Sequence, residues 1–218
     1  MRRTYAIGDV HGCLTKLSSL VKACELDCHL GEIAFVFVGD YVDRGPDSRG
    51  VVEFLIALQL RLGGNVICLR GNHEALAIEN IITGKLDHWL YNGGATTLES
   101  YGVSAGTDIP AEHRDWLCSL PITYDDGMRF FVHAGVNPDR ALDHQDEHDL
   151  LWIREPFLSD QRNYGRLIVH GHTPVKTFLP ESKPNRLNID TGAYLGGPLT
   201  AAIFCNNIVA PIGFLQES

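Results

Sequence analysis

The sequence predicts an α/β fold in one domain spanning residues 1–218, with two β-sheets packed face to face and helices outside them. Three observations support this prediction. Strand-like and helix-like segments alternate in the first half of the chain, whereas strand-like segments dominate after Ile122. The composition, 44% hydrophobic and 21% charged residues in a chain of 218, suits a single well-packed core. The expected layer order is therefore α/β/β/α.

The first half of the chain is predicted to fold as strand, helix, strand, helix, strand. Apolar runs at residues 5–7, 33–38 and 66–69 are typical of buried parallel strands. Apolar residues at helical spacing after Leu14 predict the first helix between them. Asp47 is a suitable N-cap for the second, whose residues 51–62 are apolar nearly all round and therefore expected to lie buried between layers. Residues 63–65, Gly-Gly-Asn, should end it.

The second half of the chain is predicted to be irregularly helical at first and then rich in strands. Residues 75–121 have helical character with a break at residues 92–94, Asn-Gly-Gly, and should form one wall of a pocket. The later strands are predicted at residues 122–124, 128–132, 167–169, 187–189, 200–205 and 208–214. Turn sequences at residues 125–127 and 206–207 indicate hairpins.

Charge and hydropathy exclude some classes of protein. The net charge of −9 argues against nucleic acid as the main partner, because nucleic-acid binding normally needs a basic face. No apolar run approaches the ~18 residues of a membrane-spanning helix, and no signal peptide is evident after Met1. A cytoplasmic protein without a membrane partner is therefore expected. The six cysteines are scattered and are predicted to be unpaired thiols.

Short polar motifs follow the apolar runs of the first half. They are Asp9-Val10-His11, Asp40-Tyr41-Val42-Asp43-Arg44 and Asn72-His73-Glu74. Two further histidines, His133 and His172, follow later predicted strands in the same way. Because ligands of α/β proteins bind beyond the carboxyl ends of the strands, we expect these side chains to converge on one place.

The converging donors predict a site for two divalent metal ions. Oxygen and nitrogen donors without thiolates suit such ions, and six donors are more than one ion usually takes. The six are Asp9, His11, Asp40, Asn72, His133 and His172. Asp40 is the natural bridge between the ions, with Asp9 and His11 on one ion. Asn72, His133 and His172 can complete the other.

A dinuclear site of this kind suits phosphoryl transfer. A water between two metal ions loses a proton near neutral pH and becomes a nucleophile. Arg44 and Arg154 offer guanidinium groups for the phosphate oxygens, although either arginine taken alone would more often form a surface ion pair. His73 is placed to protonate the leaving group, and Asp43 is expected to pair with it and raise its pKa.

Two nearby residues and the remaining histidines receive other roles. We expect Glu74 to brace its loop rather than to bind metal. His170 is expected to support a ligand, since it alternates with His172 across Gly171. The histidines in polar surroundings are predicted to be exposed: His29, His88, His113, His144 and His148.

Five motifs, in order, resemble the signature of the phosphoprotein phosphatase (PPP) family of metallophosphoesterases. They are Gly8-Asp9-Val10-His11-Gly12, Gly39-Asp40-Tyr41-Val42-Asp43-Arg44-Gly45, Gly71-Asn72-His73-Glu74, His133-Ala134-Gly135 and Gly171-His172-Thr173. The resemblance spans roughly residues 4–205. The short length and residues 92–94, 152–155 and 189–193 are similar to compact bacterial and phage-type serine/threonine phosphatases.

The resemblance implies a metallophosphoesterase-like β-sandwich flanked by helices and a dinuclear centre, most often assayed with Mn²⁺, with Fe, Zn or Ni as alternatives. Its pattern implies one ion on Asp9, His11 and Asp40, and a second on Asp40, Asn72, His133 and His172. The phosphate-binding residues it implies are Arg44, Arg154 and Asn72. The His73–Asp43 pair is implied as the general acid.

The resemblance leaves the substrate open. The first interpretation is a serine/threonine phosphatase that acts on a phosphoprotein or a small phosphoester, with tyrosine phosphate as a further substrate. The alternative is a dinucleoside polyphosphate hydrolase, and a remote one is a non-catalytic metal- and phosphate-binding module. Asp43 and Glu74 favour phosphomonoester substrates. Symmetrical dinucleoside tetraphosphatases usually lack the acidic residue at the position of Asp43 and have Asp at the position of Glu74. No regulatory subunit is expected, because the chain ends at Ser218 without the long C-terminal loop of eukaryotic members.

Overall fold

The computed structural model describes residues 2–28, 31–205 and 207–218, which form two mixed five-stranded sheets flanked by helices. The strands are β1 (Arg3–Ile7), β2 (Ile33–Phe37), β3 (Val66–Cys68), β4 (Thr123–Asp125), β5 (Arg129–Val132), β6 (Leu167–His170), β7 (Glu181–Ser182), β8 (Arg186–Asn188), β9 (Leu199–Cys205) and β10 (Gly213–Glu217). The α-helices are α1 (Leu14–Asp27), α2 (Ser48–Leu62), α3 (Asn72–Thr83), α4 (Asp87–Tyr91), α5 (Gly94–Tyr101), α6 (Ala111–Ser119) and α7 (Glu147–Trp152).

The first sheet has the strand order β10-β9-β1-β2-β3. Strands β1, β2 and β3 are parallel, with Tyr5 opposite Phe35 and Phe35 opposite Val66, as the alternating strand and helix pattern predicts. Strand β9 runs antiparallel to β1 and carries β10 at the edge. The carboxyl ends of the three parallel strands therefore meet along one edge of this sheet.

The second sheet has the strand order β4-β5-β6-β8-β7. Its central strands β5, β6 and β8 are parallel, whereas β4 and β7 are antiparallel edge strands. Buried residues from both sheets form one apolar cluster, in which Val36 and Ala202 of the first sheet accompany Phe131 and Val169 of the second. The two sheets thus pack face to face, which confirms the predicted sandwich.

Helices cover the outer faces of the sandwich. Leu17 and Leu20 of α1 and Val51 and Leu55 of α2 belong to the apolar cluster on the outside of the first sheet. Leu150 of α7 belongs to a cluster on the outside of the second. The layer order is α/β/β/α, as predicted.

The prediction that α2 is buried all round is wrong. Asp47 caps the helix through the Gly50 N–H at 2.8 Å, as expected, and residues Gly63–Asn65 follow its end as a short 3-10 turn. However, Leu60 is 81% exposed, so α2 buries one face against the sheet and leaves the other in solvent. Apolar composition alone did not identify the buried face.

The last predicted strand is displaced. Residues 208–214 were expected to be extended, but the strand β10 is Gly213–Glu217, paired with β9. Ile208, Val209 and Ile212 are about half exposed, and Pro211 interrupts the run. Because proline cannot donate to a strand ladder, the apolar run before it stays outside the sheet. Asn206 of the predicted hairpin turn lies outside the described residues.

Two further expectations concern the cysteines and membranes. All six cysteines are free thiols, as predicted. In the part of the chain that the structure describes, no helix has the length and apolarity that crossing a bilayer requires.

Candidate metal centre

The polar motifs converge beyond the carboxyl ends of the parallel strands of both sheets, as the sequence predicts. They come from the ends of β1, β2, β3, β5 and β6. The six side chains predicted as metal ligands are all buried, at 7% exposure or less: Asp9, His11, Asp40, Asn72, His133 and His172. Burying so many polar groups away from water is costly unless they have partners.

The backbone at this site adopts conformations that the sequence does not reveal. Positive φ angles occur at His11, Asp40, Asp43, Arg44 and His172, with values from 44° to 71°. Only Phe178 shares this property among the other non-glycine residues that the structure describes. Such conformations cost about 1–3 kcal/mol each and persist only where the surroundings enforce them. The motifs are therefore held in place at a cost, as functional sites often are.

Glu74 provides one of the restraints. Its carboxylate accepts backbone N–H groups from Gly71 at 2.9 Å, Asp40 at 2.8 Å, Tyr41 at 2.7 Å and Val42 at 3.2 Å. These bonds tie the start of α3 to the loop after β2. Glu74 braces the loop, as expected.

Asp40 lies between two groups of possible ligands. One group consists of His11, Asp40 and His73, and the other of Asp40, His133 and His172. Asp40 Oδ2 is 3.4 Å from His11 Nε2, and Asp40 Oδ1 is 3.4 Å from His133 Nε2. Each carboxylate oxygen thus faces a different group, which is the geometry that a bridging ligand needs.

The tautomers of two histidines fit metal binding. Nδ1 of His11 donates to the Val42 carbonyl and Nδ1 of His133 to the Val38 carbonyl, both at 2.9 Å. Burial lowers the pKa of His11 to about 3 and also lowers the pKa of His133, so both rings are neutral. Each Nε2 therefore carries a lone pair that is turned toward the Asp40 carboxylate. A backbone carbonyl on the other nitrogen is the usual support for a metal-binding histidine.

Several of the predicted ligand atoms repel one another, and a bound cation would remove this repulsion. His133 Nε2 lies 2.8 Å from Asn72 Oδ1, so two acceptors meet unless the Asn72 amide is turned round. His172 Nδ1 is 2.9 Å from the same oxygen, and its Nε2 is buried without a hydrogen-bond partner among the described residues. Burial above all, with the positive charge of Arg154 in addition, lowers the pKa of His172 to about 2. The residues present therefore fit divalent cations.

Asp9 is held differently from the other predicted ligands. It belongs to neither ligand group among the described residues, and its carboxylate accepts the His172 N–H at 3.0 Å. Its carboxyl group also interacts with that of Asp190. Burial, followed by the charges of Asp190 and Asp40, raises the pKa of Asp9 well above its usual value, and burial raises the pKa of Asp190 to about 7. Three crowded carboxyl groups would be stabilised by a cation, and the assignment of Asp9 as a ligand stays a prediction.

His73 and Asp43 form a buried pair. His73 Nδ1 lies 2.7 Å from Asp43 Oδ2. Burial opposes the charged imidazolium, but the carboxylates of Asp40 and Asp43 outweigh it and raise the pKa of His73. Its Nε2 is buried, has no hydrogen-bond partner in the described part of the chain, and lies 4.0 Å from Asp40 Oδ2. With this raised pKa, His73 Nε2 at the edge of the ligand groups is placed to donate a proton to a bound substrate.

The two arginines differ in their surroundings. Arg44 donates to the Tyr194 hydroxyl at 2.7 Å, and its guanidinium lies 4.8 Å from the centre of that ring. Arg44 Nη1 is also 3.4 Å from His11 Nε2, which places the cation beside the ligand groups. Arg154 is exposed and has no side-chain hydrogen bond to any described residue, yet its charge acts on His172. Both cations thus lie close to the predicted site.

Some residues at the site were not anticipated. Tyr194 holds Arg44 and lies edge-on to the His11 ring at 4.7 Å between centroids. It directly follows the segment at residues 189–193, which was the only sequence signal for it. Trp89 and Thr97 both contact Asp43, and no pattern in the sequence connects them.

The remaining histidines differ in burial and in their contacts. His170 belongs to neither ligand group and contacts the Gly171 carbonyl and Arg186, as a supporting residue would. His113 was predicted to be exposed but is 7% exposed, because its Nδ1 pairs with the Tyr101 hydroxyl at 2.8 Å. His29 lies outside the described residues. His88, His144 and His148 are exposed.

Comparisons with known proteins agree with this arrangement. The calcineurin-like phosphoesterase family model matches residues 2–207. The chain is 30% identical over 210 residues to serine/threonine-protein phosphatase 1 of Salmonella typhimurium, covering 92% of this chain and 91% of that protein. It is also 30% identical over 220 residues to the asymmetrical bis(5'-nucleosyl)-tetraphosphatase PrpE of Anoxybacillus flavithermus, covering 89% and 87%.

A solved structure supports the same conclusion. The crystal structure of a candidate diadenosine tetraphosphatase has a TM-score of 0.73 and 25% identity, and covers 99% of this chain and 94% of that one. The family match thus extends over nearly the whole chain, including every motif at the site. The chain belongs to the calcineurin-like phosphoesterase family of metal-dependent hydrolases.

Proposed function

We propose that this chain is a phosphomonoesterase that hydrolyses serine and threonine phosphates of phosphoproteins. The observation that carries the proposal is the His73–Asp43 pair, joined at 2.7 Å beside Asp40. A serine or threonine alkoxide is a poor leaving group and needs a proton. A nucleotide phosphate leaves as a stable anion and needs none. A buried histidine at this position, with a carboxylate partner and a raised pKa, supports alkyl phosphate substrates.

The residues divide into ligands and substrate-binding groups. Asp9, His11 and Asp40 would hold one divalent ion, and Asp40, Asn72, His133 and His172 the other. When bound, such a pair of ions lowers the pKa of water and withdraws charge from phosphate oxygens. Arg44 and Arg154 would bind the phosphate, with Asn72 beside it, and His73 would pass the proton on its Nε2 to the leaving oxygen.

A dinucleoside polyphosphate hydrolase is the second candidate function. The similarity to the tetraphosphatase PrpE favours it, at the same 30% identity as the similarity to the protein phosphatase, and so does the 25% identity to the candidate diadenosine tetraphosphatase. The two functions separate in a product analysis. Metal-stripped protein supplied with Mn²⁺ is incubated with a panel of phosphopeptides and, separately, with diadenosine tetraphosphate. We expect inorganic phosphate from the phosphoserine and phosphothreonine peptides at higher kcat/KM than cleavage of the dinucleotide. The reverse order would favour the second function.

Metal removal tests the proposed centre. Chelation should abolish activity, and Mn²⁺ should restore it better than Mg²⁺, because imidazole ligands favour the transition metals. The Tm of the stripped protein should rise with added Mn²⁺, since ligands that bind the folded state stabilise it. Full activity after exhaustive chelation, with the metal content checked by elemental analysis, would exclude a metal-dependent reaction.

Arg154→Ala tests the proposed phosphate clamp. Leu151 and Ile153 are buried and anchor the segment, whereas the Arg154 side chain is exposed near His172. Losing a guanidinium that grips the phosphate in both ground and transition states should raise KM and lower kcat together. Arg154→Lys should recover only part of the loss, because an ammonium group cannot reproduce the guanidinium fork.

The matched control for this variant is Arg166→Ala. Arg166 pairs with Asp125 at 3.1 Å and precedes β6, at the opposite end of that strand from His172. Its removal should leave kcat and KM unchanged. Metal content should stay at two ions in both variants. Unchanged kinetics in Arg154→Ala would return this residue to the surface ion-pair interpretation and leave Arg44 as the phosphate-binding cation.

A further inference from the structure

The break at residues 92–94 brings two short helices against the second motif. The Gly93 carbonyl accepts the Arg44 N–H at 3.3 Å. A Cβ on Gly93 would lie 2.9 Å from Arg44 Cγ, and a Cβ on Gly94 would lie 2.7 Å from ring atoms of Trp89. Contacts this short exclude any side chain at either position. Gly93 therefore lets the turn between α4 and α5 lie close to Arg44. Gly94 lets the start of α5 lie close to Trp89 of α4.

Each of these two helices provides one side chain to Asp43. From α4, Trp89 Nε1 lies 3.0 Å and 2.9 Å from the two carboxylate oxygens of Asp43. From α5, Thr97 Oγ1 donates to Asp43 Oδ1 at 2.6 Å and accepts the Asp43 N–H at 2.8 Å. An indole N–H only donates, so the carboxylate is the acceptor. Trp89, Thr97 and Asp43 are all at most 1% exposed, so water does not compete for these bonds.

These bonds fix the carboxylate that orients His73. The same Oδ2 that accepts from Trp89 lies 2.7 Å from His73 Nδ1. Asp43 has φ of 71°, a conformation that needs external restraint, and Thr97 restrains both its main chain and its side chain. With Nδ1 fixed in this way, the direction of His73 Nε2 is fixed as well.

We propose that Trp89 and Thr97 are positioning residues: they hold the Asp43 carboxylate so that His73 Nε2 points at the leaving group. The inference rests on the proposed function, in which His73 is the proton donor. Within the described part of the chain neither side chain hydrogen-bonds a predicted metal ligand, and both act through Asp43. The helical segment that was expected to form only a pocket wall thereby has a role in the reaction.

The variants Trp89→Phe and Thr97→Val remove the donors and keep most of the packing. We expect kcat for phenyl phosphate and for a phosphoserine peptide to fall by about 10-fold or more, because a displaced catalytic group loses much of its effect. The kcat for 4-nitrophenyl phosphate, whose leaving group needs little protonation, should fall by less than about 3-fold. KM and metal content should stay unchanged. Thr97→Ser, which keeps the hydroxyl, should recover most of the loss.

Trp116→Phe is the matched control. Trp116 Nε1 donates to Gln59 Oε1 at 2.7 Å, so this variant also loses an indole hydrogen bond to a side chain, but one that does not involve Asp43. It should show no dependence on the leaving group. Equal losses on all substrates in Trp89→Phe and Thr97→Val, or a loss in Trp116→Phe with the same dependence, would overturn the proposal. If the wild type hydrolyses no phosphomonoester at all, the proposed function fails instead.

A measurement on the metal-free protein is independent of activity. The Nδ1–H proton of His73, shared with Asp43, should give a slowly exchanging NMR signal that disappears in His73→Asn. In Trp89→Phe and Thr97→Val this proton should exchange at least about 10-fold faster, because a less restrained partner opens the bond more often. Unchanged exchange in both variants would show that Asp43 holds His73 without their help, and the proposal would be wrong.

Discussion

Asp40→Asn is expected to lose at least one bound metal ion and to reduce turnover by several orders of magnitude. Asp40 is the residue shared by the two ligand groups, and each of its carboxylate oxygens faces a different histidine at 3.4 Å. Burial disfavours its charge, but the nearby histidines, among them His73 with its own raised pKa, outweigh this and hold the pKa of Asp40 well below its usual range. An uncharged amide offers one oxygen and no charge to a pair of cations.

The substitution is also a clean one. Asp40 has φ of 54°, and asparagine is among the residues that tolerate this left-handed conformation best. The backbone of the loop should therefore persist, and the effect should come from the lost charge. The measurements are metal content by elemental analysis, Mn²⁺ affinity by calorimetry, and kcat on a phosphoserine peptide.

Asp47→Asn is the matched control for this variant. Asp47 caps α2, and asparagine is an equally good N-cap, so this change also removes one carboxylate charge and keeps the hydrogen bond. It should retain two ions per chain and near-normal turnover. If Asp40→Asn did the same, Asp40 would not be the bridging ligand.

The sequence predicts the location of the site well because the relevant signals are local. A buried apolar run followed by glycine and a carboxylate or histidine marks the end of a parallel strand, and parallel strand ends meet at one edge. This reasoning placed Asp9, Asp40 and Asn72 together through β1, β2 and β3. It placed His133 and His172 beside them through β5 and β6 of the second sheet.

The features that the sequence did not predict depend on contacts between distant segments. Trp89 and Thr97 reach Asp43 from residues 46 and 54 positions away, and Arg44 meets Tyr194 across 150. No periodicity encodes such pairs. The interaction between the carboxyl groups of Asp9 and Asp190 is also between distant segments, and it raises the pKa of Asp9 in a way that the motif around Asp9 does not reveal.

Two errors in the predicted fold have a different cause. Apolar residues that remain in solvent resemble core residues in a sequence. Leu60 on α2 and Ile208 before β10 are both exposed. Each lies in an apolar run that is longer than the part of it that packs in the core. Roughly half of a protein's accessible surface is apolar, so such residues are common and carry no signal of their own. The positive φ angles at the site are equally invisible, because non-glycine residues carry most of them.

His73→Asn is expected to lower kcat for alkyl phosphates by roughly 10²–10⁴-fold, the usual contribution of a positioned general acid. The loss should shrink for 4-nitrophenyl phosphate, because nitrophenolate leaves without a proton. His73 Nε2 lies 4.0 Å from Asp40 Oδ2, and the hydrogen bond from the His73 backbone N–H to Asp40 Oδ1 at 3.1 Å does not depend on the side chain, so metal content should remain at two ions. The measurements are kcat across phenyl phosphates with different leaving groups, beside elemental analysis of each variant.

Two further variants, Asp43→Asn and His113→Asn, serve as comparisons for His73→Asn. Asp43→Asn leaves the imidazole in place but removes the carboxylate that raises the pKa of His73, so it should show the same dependence on the leaving group to a smaller extent. His113→Asn removes a buried histidine that pairs with Tyr101 away from the ligand groups. It should lower Tm and leave the leaving-group dependence unchanged. An equal loss for every leaving group in His73→Asn would instead assign His73 to structure or metal support. A loss of bound metal would make it a ligand, as its place in a group with His11 and Asp40 permits. Because only a proton donor discriminates between leaving groups, this series separates the two roles of one imidazole.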